Sequence, residues 1–172
     1  MGSLADRLSG LREAAWEIAT SVDEGDDLSE SELVDLFIES GFFSTMGYGS
    51  MDADVRCSSR SVSGQVEVIL RSFTGRPIAL LEFLPSDVDL AECCDQLEEG
   101  ARDVLGRLPS VAALTNGSEL WLFQADGGYL QEPSQKFNLA DLRPDEVEFL
   151  HTRFQRGRTD WGRHLRSPHL PD

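Results

Sequence analysis

Two glutamates stand inside the most apolar parts of this chain. Glu82 lies in Arg76-Pro-Ile-Ala-Leu-Leu-Glu-Phe-Leu84, where Ile78 to Phe83 are otherwise apolar, and Glu67 lies in Val66-Glu-Val-Ile-Leu70. A buried carboxylate is costly unless it is paired, hydrogen-bonded or bound to a metal. Two of them on adjacent strands could hold one Mg²⁺, an ion that takes oxygen ligands, and support metal-assisted hydrolysis. The plainer alternative makes Glu67 the polar position of an alternating strand, with Val66, Val68 and Leu70 inward. Gln96 could reach a phosphate, or it could cap or pack. Lys136 is the only lysine, and it falls in an expected loop far from both acids. Cys57, Cys93 and Cys94 are odd in number and form neither a disulfide framework nor a zinc box. They fit a reduced, cytoplasmic setting, with Cys93 and Cys94 as packing residues.

The elements that must position these acids are legible in order. Apolar residues at Leu4, Leu8, Leu11, Ala15, Ile18 and Ala19 predict a first helix. An acidic loop, Ser21 to Asp27, follows. Ser29 with Glu32 three residues on is a capping box for a second helix, which Gly41 should stop. Ser44 to Ser50 reads as a loop, and Asp54 to Ser58 as a short strand. Val66–Leu70 and Ile78–Phe83 read as central strands joined by a hairpin around Thr74-Gly75. Leu90, Cys93, Cys94, Leu97, Ala101, Val104 and Leu105 predict a helix over 89–105. Val111–Thr115 is a strand, Asn116-Gly117 a hairpin turn, and Glu119–Phe123 the return strand. There Trp121 and Phe123 are expected in the core. Tyr129-Leu130 reads as the start of an edge strand. Pro144 opens a last helix. A helix between two central strands makes this an α/β arrangement.

Charge narrows the partners. The chain has 172 residues, 40% apolar and 8% aromatic, enough for one folded domain. Acids outnumber bases 31 to 15, for a net charge of −16. Lys136 stands alone against 14 arginines, which suits a halophilic protein or an acidic protein whose codon usage favours arginine. Generic nucleic-acid binding over most of this surface is disfavoured. The end of the chain differs: Arg153, Arg156, Arg158, Arg163 and Arg166, with His151, His164 and His169, face only Asp160 and Asp172. This stretch could follow DNA phosphates, dock on an acidic partner, or neutralise the protein's own surface. No run of 18 apolar residues is present and the N-terminus is acidic and polar, so neither a membrane span nor a signal peptide is expected.

Several segments together resemble the PD-(D/E)XK nuclease fold, in the branch of the N-terminal nuclease domain of type I restriction enzyme R subunits. Glu30-Ser-Glu-Leu-Val-Asp-Leu-Phe-Ile-Glu-Ser-Gly-Phe42 is similar to the family's opening acidic helix. Glu67-Val-Ile-Leu70 is similar to the strand bearing its Asp, and Gly75 to Glu82 to the strand ending in Glu-x-Lys. Gln96-Leu97 matches the Gln of the next helix. Ala113-Leu-Thr-Asn-Gly-Ser-Glu-Leu-Trp-Leu-Phe123 matches its most specific hairpin. Asn138-Leu139 and Arg143-Pro-Asp-Glu146 match its closing segment.

The resemblance implies a restriction-endonuclease-like mixed central sheet flanked by helices over residues 28–155. An N-terminal helix and acidic loop (1–27) precede it and a basic tail (156–172) follows. It also implies Glu67, Glu82 and Gln96 as vestigial or weak catalytic residues, and Glu67 with Glu82 as ligands for Mg²⁺. Contacts to nucleic acid or a partner would come from Arg153, Arg156, Arg158, Arg163 and Arg166. Two departures weaken catalysis. The family's Lys corresponds to Leu84, and the Tyr that commonly follows the Gln corresponds to Gly100. The expectation is a catalytically degenerate nuclease-like domain that serves as a DNA-associated or protein-binding accessory module, its partner DNA, another protein or a second copy of the chain. The alternatives are an active Mg²⁺-dependent endonuclease using Glu67 and Glu82, and an accessory subunit unrelated to nucleic acid.

Overall fold

The computed structural model describes residues 3–25, 27–49, 53–57, 66–106, 109, 111–126, 129–130 and 132–156. The helices are α1 (Leu4–Glu24), α2 (Glu30–Glu39), α3 (Phe42–Thr45), α4 (Cys94–Leu105) and α5 (Pro144–Phe154). The strands are β1 (Ala53–Cys57), β2 (Val66–Arg71), β3 (Pro77–Phe83), β4 (Val111–Thr115), β5 (Glu119–Asp126), β6 (Tyr129–Leu130) and β7 (Gln135–Asn138). They form one mixed sheet in the order β1-β2-β3-β4-β5-β6, with β7 also paired to β5. β3 and β4 run parallel, joined through α4; the other pairings are antiparallel. This is the α/β class read from the sequence.

Alternation along the central strands sends side chains to two cores, one on each face of the sheet. On one face Val68, Leu70, Ala79, Leu81, Phe83, Ala113, Leu120 and Leu122 pack with Leu11 and Ile18 of α1 and Leu33 and Phe37 of α2. Phe42 of α3 and Leu150 of α5 join the same cluster. On the other face Leu84, Ala112, Leu114, Trp121 and Phe123 pack with Leu97 of α4, and Ile69 and Leu80 pack with Ala101. One face is thus covered by several helices and the other chiefly by α4. Both faces of β2 and β3 are buried, which is why these strands read as nearly continuous apolar runs.

Local signals fix the element ends. The capping box on α2 is present: Glu32 Oε2 accepts from the Ser29 backbone N at 2.9 Å and from its hydroxyl at 2.6 Å. Gly41, at φ +82°, breaks α2 from α3, a left-handed conformation that favours glycine. The Asn116-Gly117 turn is held by its own side chains. Asn116 Oδ1 accepts from the backbone N of Ser118 and Glu119, and Thr115 Oγ1 donates to Glu119 O at 2.7 Å. Asn116 Nδ2 also donates to Val88 O at 3.0 Å, tying the turn to the connection that leads into α4.

Five expectations shift. The acidic loop expected over Ser21 to Asp27 is helical as far as Glu24, the end of α1. The helix over 89–105 begins as a 3-10 turn, Leu90–Glu92, capped by Asp89, and becomes α-helical only at Cys94. The short strand begins one residue earlier than expected, at Ala53, and is described as far as Cys57; Ser58 lies outside the described residues. The loop expected from Ser44 instead starts inside α3, which runs to Thr45. Residues 135–138, expected as loop, form β7, and they carry Lys136 into the sheet.

Candidate functional site

A β-bulge decides where the two glutamates point. The hairpin between β2 and β3 turns through Ser72–Arg76, with Ser72 N donating to Arg76 O at 2.8 Å and Gly75 N to Ser72 O at 2.9 Å. The pairing register shifts between Leu70 and Arg71. Beyond the shift, Glu67 pairs directly with Glu82. Residues opposite one another in an antiparallel pair share a face, so both carboxylates leave the sheet on the same side. Without the extra residue Glu67 would oppose Leu81, and the two acids would lie on opposite faces.

That shared face is the one covered by α4. A Cβ built on Gly100 would lie 3.5 Å from Glu67 Oε1 and 3.9 Å from Glu82 Oε2, so both carboxylates converge on one point of the helix. Glu67 is 1% exposed and Glu82 0%. Neither oxygen of Glu82 has a hydrogen-bond partner among the described residues. Burial pushes its carboxyl up to about 7, and the neighbouring Glu67 adds to the rise. Near neutral pH Glu82 therefore holds a proton for much of the time. This follows from two carboxyls in one dry site, where removing both protons would place like charges together. Glu67 is consequently more than the polar face of an alternating strand.

The position two residues beyond Glu82 is apolar in chemistry and in surroundings. Leu84 is 4% exposed and packs with Leu90, Leu97, Ala112, Leu114, Trp121 and Phe123. Its backbone N donates to Thr115 O at 2.9 Å, which fixes it beside the hairpin turn. The nearest substitute cation by type, Lys136, lies elsewhere. It pairs with Trp121 across β5 and β7, and its Nζ sits 3.5 Å from the Trp121 ring centroid. Register runs Glu82–Leu114–Trp121–Lys136, three strand spacings or about 14 Å of backbone. The cation–π contact occupies Lys136 where it stands.

The other candidates scatter. Gln96 falls on α4, four residues ahead of Gly100, but its side chain is outside the described residues. Cys93 and Cys94 are half-buried against the α4-side core, as packing residues. Burial pushes the Cys93 thiol up, and the charge of Glu82 contributes. Arg153 lies over the Phe149 ring at 5.0 Å. Arg156 lies over Phe73 at 4.5 Å and Tyr48 at 5.9 Å, and its backbone N donates to Met46 O. Arg158, Arg163 and Arg166 lie outside the described residues.

A groove of about 490 Å³ flanks α4, lined by Asp95, Glu98, Glu99 and Arg102 with Phe123, Leu130 and Glu132. Nothing in the sequence signals it, because its walls come from three separate segments. Glu98 is engaged there by Arg102 and by the backbone N of Leu130. Glu67 and Glu82 do not line it. Among the described residues no group of three or more His, Cys, Asp or Glu side chains is placed to hold a metal ion. No described helix is long and apolar enough to cross a membrane. No family model matches the chain, and no curated protein or solved structure matches it.

Proposed function

We propose that this chain is a restriction-endonuclease-like domain whose catalytic centre has closed, and that it works by binding, as an accessory module, rather than by hydrolysis. The observation that carries this reading is the burial of two facing carboxylates, 1% and 0% exposed, beneath Gly100. Their facing register is what a metal-dependent nuclease would use. Their enclosure is what it could not use, because a scissile phosphate and an attacking water must reach them. Mg²⁺ is six-coordinate and keeps several of its waters. Two enclosed carboxylates, one of them largely protonated at neutral pH, fit that ion poorly. Leu84 supports the same conclusion, since an apolar side chain packed among six apolar neighbours can neither activate water nor stabilise phosphate charge.

The partner class follows from charge. Residues 1–150 carry 29 acids against ten bases, and such a surface repels a polyanion. A protein presenting a basic face suits it better than DNA, and the arginines from Arg153 onward are the segment that could meet DNA or an acidic partner. The facing register keeps one alternative in play, an active Mg²⁺-dependent endonuclease using Glu67 and Glu82. Incubation of linear, supercoiled and single-stranded DNA with Mg²⁺ or Mn²⁺ separates the two. With its site closed, the native protein should cleave none of these DNAs. Cleavage that Glu82→Ala abolishes would refute the closed site. Cleavage gained only by Leu84→Lys would show a pocket that lacks nothing but its cation.

A further inference from the structure

His151 is the one histidine among the described residues, and the carboxylate site makes no use of it. It stands on α5, which packs on α1, and it is 2% exposed. One ring nitrogen is bonded to the backbone of Thr45, at the end of α3. The other, Nε2, has no hydrogen-bond partner among the described residues. A carbonyl only accepts, so the bonded nitrogen, Nδ1, carries the proton and Nε2 is a bare lone pair. That tautomer is neutral, and it tolerates a dry setting better than an unpaired N–H would.

The charged group that acts on this ring is Arg7 of α1, whose own Nε is buried without a partner among the described residues. α3 contributes the Thr45 carbonyl and no charge. The segment after α3 contributes Tyr48, whose hydroxyl donates to Phe154 O at 2.8 Å. Arg156, just past α5, is turned onto the Tyr48 and Phe73 rings. A proton arriving at Nε2 thus meets a cation and no described acceptor. Helix packing gives little room to adjust, because Gly10 of α1 presses on α3: a Cβ there would lie 3.2 Å from Thr45 Cγ2.

We propose that His151 is a pH-operated latch for the end of α5: neutral, it lies buried between the helices while donating to Thr45, and protonated it keeps that bond but puts a second, unsolvated positive charge near Arg7, which releases the last turns of the helix with Arg153 and Arg156. Burial and then Arg7 lower its pKa below the ordinary 6.5. The released chain therefore binds the proton more readily than the closed one. The latch contributes its stability above about pH 6.5 and loses it as pH falls through the lower folded value.

Amide hydrogen exchange tests this directly. Gln155 N bonds to His151 O at 2.9 Å and Arg156 N to Met46 O at 3.0 Å, so both amides report the closed state. From about pH 7 to 5, after correction for intrinsic rates, their protection should fall, while α2 amides do not lose theirs. His151→Gln, which cannot be charged, should abolish that acid loss. Arg7→Gln, which removes the opposing cation, should reduce it and raise the ring's pKa in an NMR titration. Unchanged protection in the native protein while the ring titrates would overturn the latch. So would an equal acid loss in either variant, and Arg7→Gln answers the question even if His151→Gln fails to fold.

Discussion

Replacing Glu82 by Gln should make this protein more stable at alkaline pH. Glu82 is fully buried and titrates near 7 instead of 4.5, through burial first and Glu67 second. Between those values the folded state holds a proton that the unfolded chain has released. Stability from this group is greatest on the acid side and falls as pH rises through about 7. At about 1.4 kcal/mol per pH unit, the full loss is about 3 kcal/mol. Gln cannot ionise, and its amide can donate to the facing Glu67, so the variant escapes the loss. Urea denaturation from about pH 5 to 8.5, in about 1 M KCl to screen the acidic surface, measures it. Native-minus-variant stability should decline across that range by about 2–3 kcal/mol, with the variant ahead at the top. A difference that is flat, or that rises with pH, would mean Glu82 is solvated or paired with a cation, and the closed site would fall with it.

Two further outcomes follow from the fold. Gly117, at φ +87°, would place a Cβ 2.6 Å from Val22 Cγ2 and 2.8 Å from Leu33 Cδ2. Gly117→Ala therefore strains the backbone and overpacks the helix contact together, and should cost about 2–4 kcal/mol in a denaturation experiment. A loss below about 0.5 kcal/mol would show that the turn does not dock on α1 and α2. The 29 acids of residues 1–150 repel one another at low ionic strength, so thermal midpoints should rise with KCl. A midpoint unchanged into molar salt would remove the halophilic reading.

The central sheet was legible because its strands have only one way to bury such apolar runs. The hairpin at Asn116-Gly117 was equally legible, and its residue types have a physical account: Thr115 and Asn116 satisfy the backbone of the turn, and only glycine fits beneath α1 and α2. β7 was not legible. Of Gln135, Lys136, Phe137 and Asn138 only Phe137 is buried, too little alternation to show in four residues. The pairing of the acids was half legible. Both strands could be named, but one residue at the Leu70/Arg71 bulge decides whether Glu67 and Glu82 share a face. Their enclosure was not legible, because it depends on how closely α4 approaches at Gly100. There the sequence displays only an absent side chain.

The measurement that bears most directly on the closed site is a carbon-13 NMR titration of the side-chain carboxyls, with Glu82→Gln to assign the resonance. Glu82 should titrate near 7, well above the surface glutamates, and stay unmoved by millimolar Mg²⁺. A Glu82 carboxyl that titrates in the ordinary range, or that shifts when Mg²⁺ is added, would contradict a closed site.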